Sequence, residues 1–143
     1  MSSYRVLISC PLIIDSVDEY SERFEEHDID YDVADVDQQL TEEELLGIID
    51  QYDGVLAGDD EFTSAVLDKA TKLKVIAKWG IGIDAIDTEA AERNDVKVSN
   101  TPGAFSEEVA DVIISYAIML TRQLHLVDRE VRNGGWFCPR GTS

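Results

Sequence analysis

A chain of 143 residues, 44% of them apolar, with nine glycines and three prolines, has the make-up of an ordinary globular protein, long enough for one core and hardly for two. Twelve basic side chains against 30 acidic ones leave a net charge of −18, which argues against nucleic acid and against an anionic membrane as partners. Cys10 and Cys138 stand at opposite ends with no paired or metal-ligand spacing, so neither a disulfide framework nor a metal site is expected. The opening residues do not read as a basic-then-apolar leader, because Asp15 soon follows the first apolar run, and a cytoplasmic location is expected.

Tyr4 to Cys10 is rich in β-branched and apolar residues and stops at Pro11, as a buried strand does. Val17, Tyr20, Ser21 and Phe24 recur at helical spacing, which predicts an amphipathic helix from Ser16 to Glu26. Ile29, Tyr31 and Val33 alternate with acids, the pattern of a half-buried edge strand. Thr41 and Glu44 form a capping box at the start of a helix carrying Leu45, Leu46, Ile48 and Ile49. Gly54 to Ala57 is a third strand, and Thr63 caps a helix with Val66 and Leu67 on one face. Val75 to Ala77 is a fourth strand, halted by Gly80-Ile81-Gly82. Asp84 and Asp87 then precede a short helix-forming run, and Val96 and Val98 alternate with Lys97 before the break at Asn100-Thr101-Pro102-Gly103. Strands alternating with helices at this spacing imply an α/β fold with a doubly wound parallel sheet, flavodoxin-like, in strand order 2-1-3-4-5.

From Ser106 to Leu126 the pattern changes. Ser106 is placed to cap a long helix, with Glu107 and Glu108 in its first turn. Val109, Val112, Ile113, Tyr116 and Leu120 make one face, and Ala110, Ile114, Ile118 and Met119 much of another. A helix apolar on nearly all sides needs cover from a second domain or a second chain, and this one is too short to span a bilayer. The expected division is residues 1–100 as one domain and 101–143 as a crossover and the first helix of another.

A buried strand running into a glycine turn is where parallel sheets aim backbone N–H groups at a ligand. The amides of Ile81 and Gly82 are therefore candidates to hold an anion, with Lys78 adding positive charge. A tight turn required only by the fold is the alternative. The single Gly80-Ile81-Gly82 lacks a third glycine and a long following helix, so it is not a dinucleotide fingerprint. Asp84 reads as a hydrogen-bonding partner of the loop or helix start, Asp111 as a first-turn acid, and His27 and His125 as solvated or helix-end residues. Cys10 reads as a small buried apolar residue, and Trp79 as packed beside the loop, with Trp136 on an interdomain side.

The order Gly80-Ile81-Gly82-Ile83-Asp84, Ile86-Asp87, Asn100-Thr101-Pro102-Gly103 and Val109-Ala110-Asp111 resembles the N-terminal part of the D-isomer-specific 2-hydroxyacid dehydrogenase family. That family includes phosphoglycerate dehydrogenase and glyoxylate/hydroxypyruvate reductase. The resemblance implies an NAD(P)-dependent oxidoreductase acting on the CH–OH group of a D-2-hydroxy acid, or reducing the matching 2-keto acid, most like phosphoglycerate dehydrogenase. It implies that Lys78, Ile81 and Gly82 bind the small acid, and that Ile81 and Val109 lie against the NAD or NADP cofactor. It also implies a homodimer through the helix 106–126. The family's catalytic histidine, glutamate and substrate arginine fall beyond Ser143, so no catalytic residue is carried onto this chain, which alone is expected to be inactive. Phe105 stands where many relatives have asparagine, leaving the identity of the acid open. Two alternatives remain: a non-catalytic dimerisation domain, or a phosphoacceptor receiver module with Asp59-Asp60 after the third strand, against which Cys10-Pro11-Leu12 replaces an acidic pair.

Overall fold

The structure, a computed structural model, describes residues 4–136, so Cys138 lies outside the described residues. It divides into two units at Ala104 and Phe105. The first is built on five parallel strands in the order β2-β1-β3-β4-β5, the order read from the sequence. These are β1 (Tyr4–Ile8), β2 (Ile29–Val33), β3 (Gly54–Ala57), β4 (Val75–Lys78) and β5 (Lys97–Ser99). The register sets Leu7 opposite Asp32 on one side and Val55 on the other, and Ala57 opposite Lys78.

Alternation along these strands fills two cores. Leu7, Val55 and Ile76 point into the larger one, with Leu45, Ile49, Phe62, Val66 and Leu67, all of them 2% exposed or less. Its helices are α3 (Glu42–Ile48), α4 (Ser64–Lys69) and α5 (Thr88–Arg93). Ile8 faces the other way, towards Cys10, Ile13 and Val17, with Phe24, Tyr31 and Leu56 packed around them. A sheet buried on both faces is the condition that makes parallel strands stable. The edge strand β2 is half-buried at Ile29 and Tyr31 as its alternation predicts, but Val33 at its end is 43% exposed, and Asp32 pairs with Arg5 of β1 at 2.7 Å.

The single amphipathic helix expected over 16–26 is instead two pieces, a 3₁₀ turn at Val17–Tyr20 and α2 (Ser21–Glu26), preceded by a separate short helix α1 (Pro11–Ile14). Hydroxyls compete with the backbone at both joints. The Ser16 Oγ donates to the Ile13 carbonyl at 3.3 Å and the Ser21 Oγ to the Asp18 carbonyl at 2.8 Å. Pro11 fits the first turn of α1, where its missing N–H costs nothing. The apolar stripe survives this break, since Val17 is buried and Phe24 packs on Tyr31 with ring centroids 4.9 Å apart.

The second unit contains α6 (Ser106–Thr121) and α7 (Leu124–Arg132). The helix expected to run to Leu126 ends at Thr121. Its Thr121 hydroxyl bonds back to the carbonyl of Ala117 at 2.6 Å, and Gln123 turns left-handed at φ 54° before the chain resumes helix. Ser106 is not the cap: Phe105 occupies that position and makes no side-chain cap bond. Within this chain the apolar side chains of α6 are open, with Ile113 62% and Leu120 64% exposed. Among the described residues no helix is long and apolar enough to cross a membrane.

Candidate functional site

The site candidates of the first unit gather at the carboxyl ends of β1, β3 and β4. β1 and β3 are neighbours, yet the chain leaves β1 across one face of the sheet and β3 across the other. Such a switch point leaves a crevice above the strand ends, the usual ligand position in doubly wound sheets. Here a cavity of about 230 Å³ is lined by Cys10 and Pro11 after β1, Gly58 and Asp59 after β3, and Lys78 and Trp79 at the end of β4, with Asp37 beside them. Gly58 packs closely on the chain leaving β1, since a Cβ there would stand 3.4 Å from both Cys10 Cα and Pro11 Cδ, in van der Waals contact.

Asp60 holds these strand ends together. It is fully buried, and its Oδ2 accepts from the Ser9 hydroxyl at 2.6 Å and the Gly58 amide at 3.1 Å, while Oδ1 accepts from the Leu40 amide at 2.7 Å. Burial pushes this carboxyl above the usual aspartate range, and the bonds from Ser9, Leu40 and Gly58 pull partly against it. The sequence marked Asp60 only as a possible phosphoacceptor; its place as a staple depends on Ser9 and Leu40, two donors distant in sequence, together with the nearby Gly58 amide. Its neighbour Asp59 is 69% exposed and pairs with the Lys78 ammonium at 2.9 Å. Asp60 is thus enclosed and committed to the fold, while Asp59 is open to solvent on the side away from Lys78.

Lys78 is 7% exposed, and its Nζ also donates to the Trp79 carbonyl at 3.1 Å. The loop above it is pinned from several directions. Trp79 N donates to Ala57 O at 2.9 Å, Thr101 N to Gly80 O at 2.9 Å, and the Asn100 side chain to Ile81 O at 2.7 Å. Gly80 has φ +135°, which L side chains rarely adopt, and a Cβ added to it would lie 3.3 Å from the lysine Nζ. At its far end the loop is tied to the residues before α4: Phe62 N donates to Ala85 O and Asp87 N to Phe62 O, each at 2.9 Å. None of the hydrogen bonds of the described residues uses the amides of Ile81 and Gly82. Carbonyls of Gly80, Ile81, Ile83 and Ala85 are spent on fixing the loop, while its amides from Gly80 to Ala85, those of Ile81 and Gly82 among them, are left open to a ligand.

The loop therefore brings together Lys78, Ile81 and Gly82, with Ile81 40% exposed. Val109 belongs to the second unit, on α6, and is 53% exposed. Asp87 accepts from Ala90 N at 2.9 Å and so caps α5, a helix-start role that the sequence offered to Asp84 as an alternative to bonding within the loop. Cys10 is 2% exposed, as expected of a packed residue, and Trp79 keeps one side open at 37% exposure.

The family model for the catalytic domain of D-isomer specific 2-hydroxyacid dehydrogenases matches residues 11–129. The chain belongs to this family. Among the D-2-hydroxyacid dehydrogenases it is similar to the D-3-phosphoglycerate dehydrogenase of Methanocaldococcus jannaschii, 37% identical over 98 residues, which cover 68% of this chain and 19% of that protein. It is also similar to the hydroxypyruvate reductase of Thermotoga maritima, 31% identical over 100 residues, covering 69% of this chain and 33% of the relative. The chain thus spans a third or less of the length of these two curated relatives. In three dimensions it matches a glyoxylate reductase from Paecilomyes thermophila with a TM-score of 0.78 at 22% identity, covering 99% of this chain and 46% of that one. A D-lactate dehydrogenase from Aquifex aeolicus, solved with NAD and lactic acid, matches with a TM-score of 0.74 at 20% identity, over 94% of this chain and 39% of that one. At such identities these structures speak for the fold. Membership of the family replaces the receiver module as a reading of Asp59 and Asp60.

Proposed function

We propose that this chain supplies the substrate-binding part of an NAD(P)-dependent oxidoreductase that interconverts a D-2-hydroxy acid and its 2-keto acid. The observation that carries the proposal is the pair of unused amides at Ile81 and Gly82, on a loop fixed by Asn100 and Thr101 beside the buried Lys78. Two adjacent N–H groups suit the two oxygens of a carboxylate, and a pinned loop loses little freedom on binding one. Lys78 retains one of its three donors for the same ligand, since Asp59 and the Trp79 carbonyl take the other two. In such a reaction a bound nicotinamide cofactor supplies or accepts the hydride; this chain's part is to hold and orient the acid.

The residues present do not make a pyrophosphate cradle. The loop leads into α5, six residues long, whose N-terminus is already closed by the Asp87 carboxylate on Ala90 N at 2.9 Å. An anion drawn to that helix end would meet a carboxylate in place. On this reading Ile81 and Val109 are the candidate contacts to the cofactor among the described residues, through apolar faces rather than phosphate-binding amides.

Kinetics on the natural polypeptide that contains these residues, over a panel of 2-keto acids with NADH and NADPH, test the proposal. Gly82→Val is expected to raise KM at least tenfold. A Cβ there meets only the Asp84 side chain, at 3.3 Å, so the loop tolerates it while the branched side chain bars the anion. Lys78→Ala is expected to raise KM by a smaller factor. Unchanged kinetics in both variants overturn the assignment.

A further inference from the structure

The cavity beside the loop carries a charge pattern that bears on which acids it accepts. Lys78 is the only cation among the described residues that line it, and its charge is already met by Asp59 at 2.9 Å. Asp37 lines the same cavity. The lining thus holds one positive and two negative groups, and the remaining surface near Cys10, Pro11, Leu12 and Trp79 is largely apolar. An acid's first carboxylate can still be held by the neutral amides of Ile81 and Gly82, which need no cation. A second anionic group on the same molecule, reaching into the cavity, would face Asp59 and Asp37 with no free cation to offset them.

We infer that Asp59 is a specificity-determining residue, which by neutralising Lys78 restricts the site to 2-keto and 2-hydroxy acids of a single negative charge, with a short uncharged tail, and disfavours those that carry a phosphate or second carboxylate. The inference rests on the loop reading given above, and departs from a phosphoglycerate-like substrate. Asp59 is suited to this role because it is 69% exposed, so its carboxylate is held by Lys78 rather than by the fold. Asn can replace it in the hydrogen bond while removing its charge.

The test uses two five-carbon acids of nearly equal size, 2-oxopentanoate with one carboxylate and 2-oxoglutarate with two. Each is titrated into the ¹⁵N-labelled chain and its Asp59→Asn and Asp37→Asn variants, with the Ile81 and Gly82 amide resonances as the readout. The unaltered chain is expected to prefer the monoanion by about tenfold, and Asp59→Asn to narrow that ratio to about twofold or to invert it. Asp37→Asn is expected to narrow it by less, because Asp37 lies outside the Lys78 pair. Both amides responding, but with the same ratio in the unaltered chain and in Asp59→Asn, overturns the inference and leaves the loop assignment standing. Silence of both amides towards both acids, up to roughly 50 mM, overturns the loop assignment and the inference with it.

Discussion

Asp60 illustrates how much one residue can decide in this architecture. Its carboxylate meets a hydroxyl from the end of β1, an amide from the end of β3 and an amide just before α3, so the site's scaffold converges on two oxygens. Asp60→Ala leaves these donors unpaired in a buried place and is expected to cost about 3 kcal/mol, the penalty of a lost polar cluster rather than of one bond. Asp60→Asn is expected to cost less, since only the Gly58 N–H must then face an amide NH₂. The pH dependence separates burial from bonding. With the folded-state value raised, chiefly by burial, the folded protein holds this proton more tightly than the unfolded chain. The stability it contributes is fully present below the unfolded value near 4 and is lost as pH rises through the folded value. Urea unfolding between about pH 4 and 7 should therefore show the deficit of Asp60→Asn narrowing as pH rises. A deficit that widens with pH means that the hydrogen bonds outweigh burial and that the carboxyl is depressed.

Elements whose signal is local were readable from the chain alone. The Thr41 and Glu44 capping box is formed, with Thr41 N donating to Glu44 Oε2 at 2.8 Å, and the five strands lie in the expected order because each carries its own apolar run between turn signals. What failed locally was helix continuity. Periodicity reports which face is apolar and is blind to a hydroxyl that bonds back to a carbonyl, as Ser16 and Thr121 do. The loop at Gly80 to Gly82 was legible as glycine-rich, while the Lys78 pairing with Asp59 was not, because it depends on two strand ends placed side by side only by the sheet. The break between α6 and α7 can be tested at the same scale. Gln123 sits at φ 54°, a conformation that costs a non-glycine side chain about 1 kcal/mol or more. Gln123→Gly is expected to stabilise the chain by about 0.5–1 kcal/mol, read as a higher urea midpoint with unchanged helical circular dichroism. In a continuous helix from Ser106 to Leu126 the same change would lose about as much and lower the helical signal.

At the scale of the whole chain, the net charge of −18 and the open apolar surface of α6 pull in opposite directions. Ile113, Ile114, Ile118 and Leu120 are each at least half exposed, and together with Val112 and Tyr116 they make a wide apolar surface on one 16-residue helix. A patch of that kind on a soluble chain marks a surface that something covers. We propose that a second copy does so, because twofold pairing of a helix with its symmetry mate is the simplest closed arrangement and buries the same residues on both sides. Long-range repulsion between two acidic copies opposes this pairing and is screened by salt, so association should tighten as ionic strength rises. Sedimentation equilibrium at micromolar concentration is the direct measurement, run at low and high salt. A dimer strengthened by salt is expected, and Ile114→Glu with Ile118→Glu should abolish it by placing four carboxylates in the paired surface. A stable monomer at both salt concentrations rules out self-association through α6, and a dimer that survives the double substitution moves the contact elsewhere on the chain.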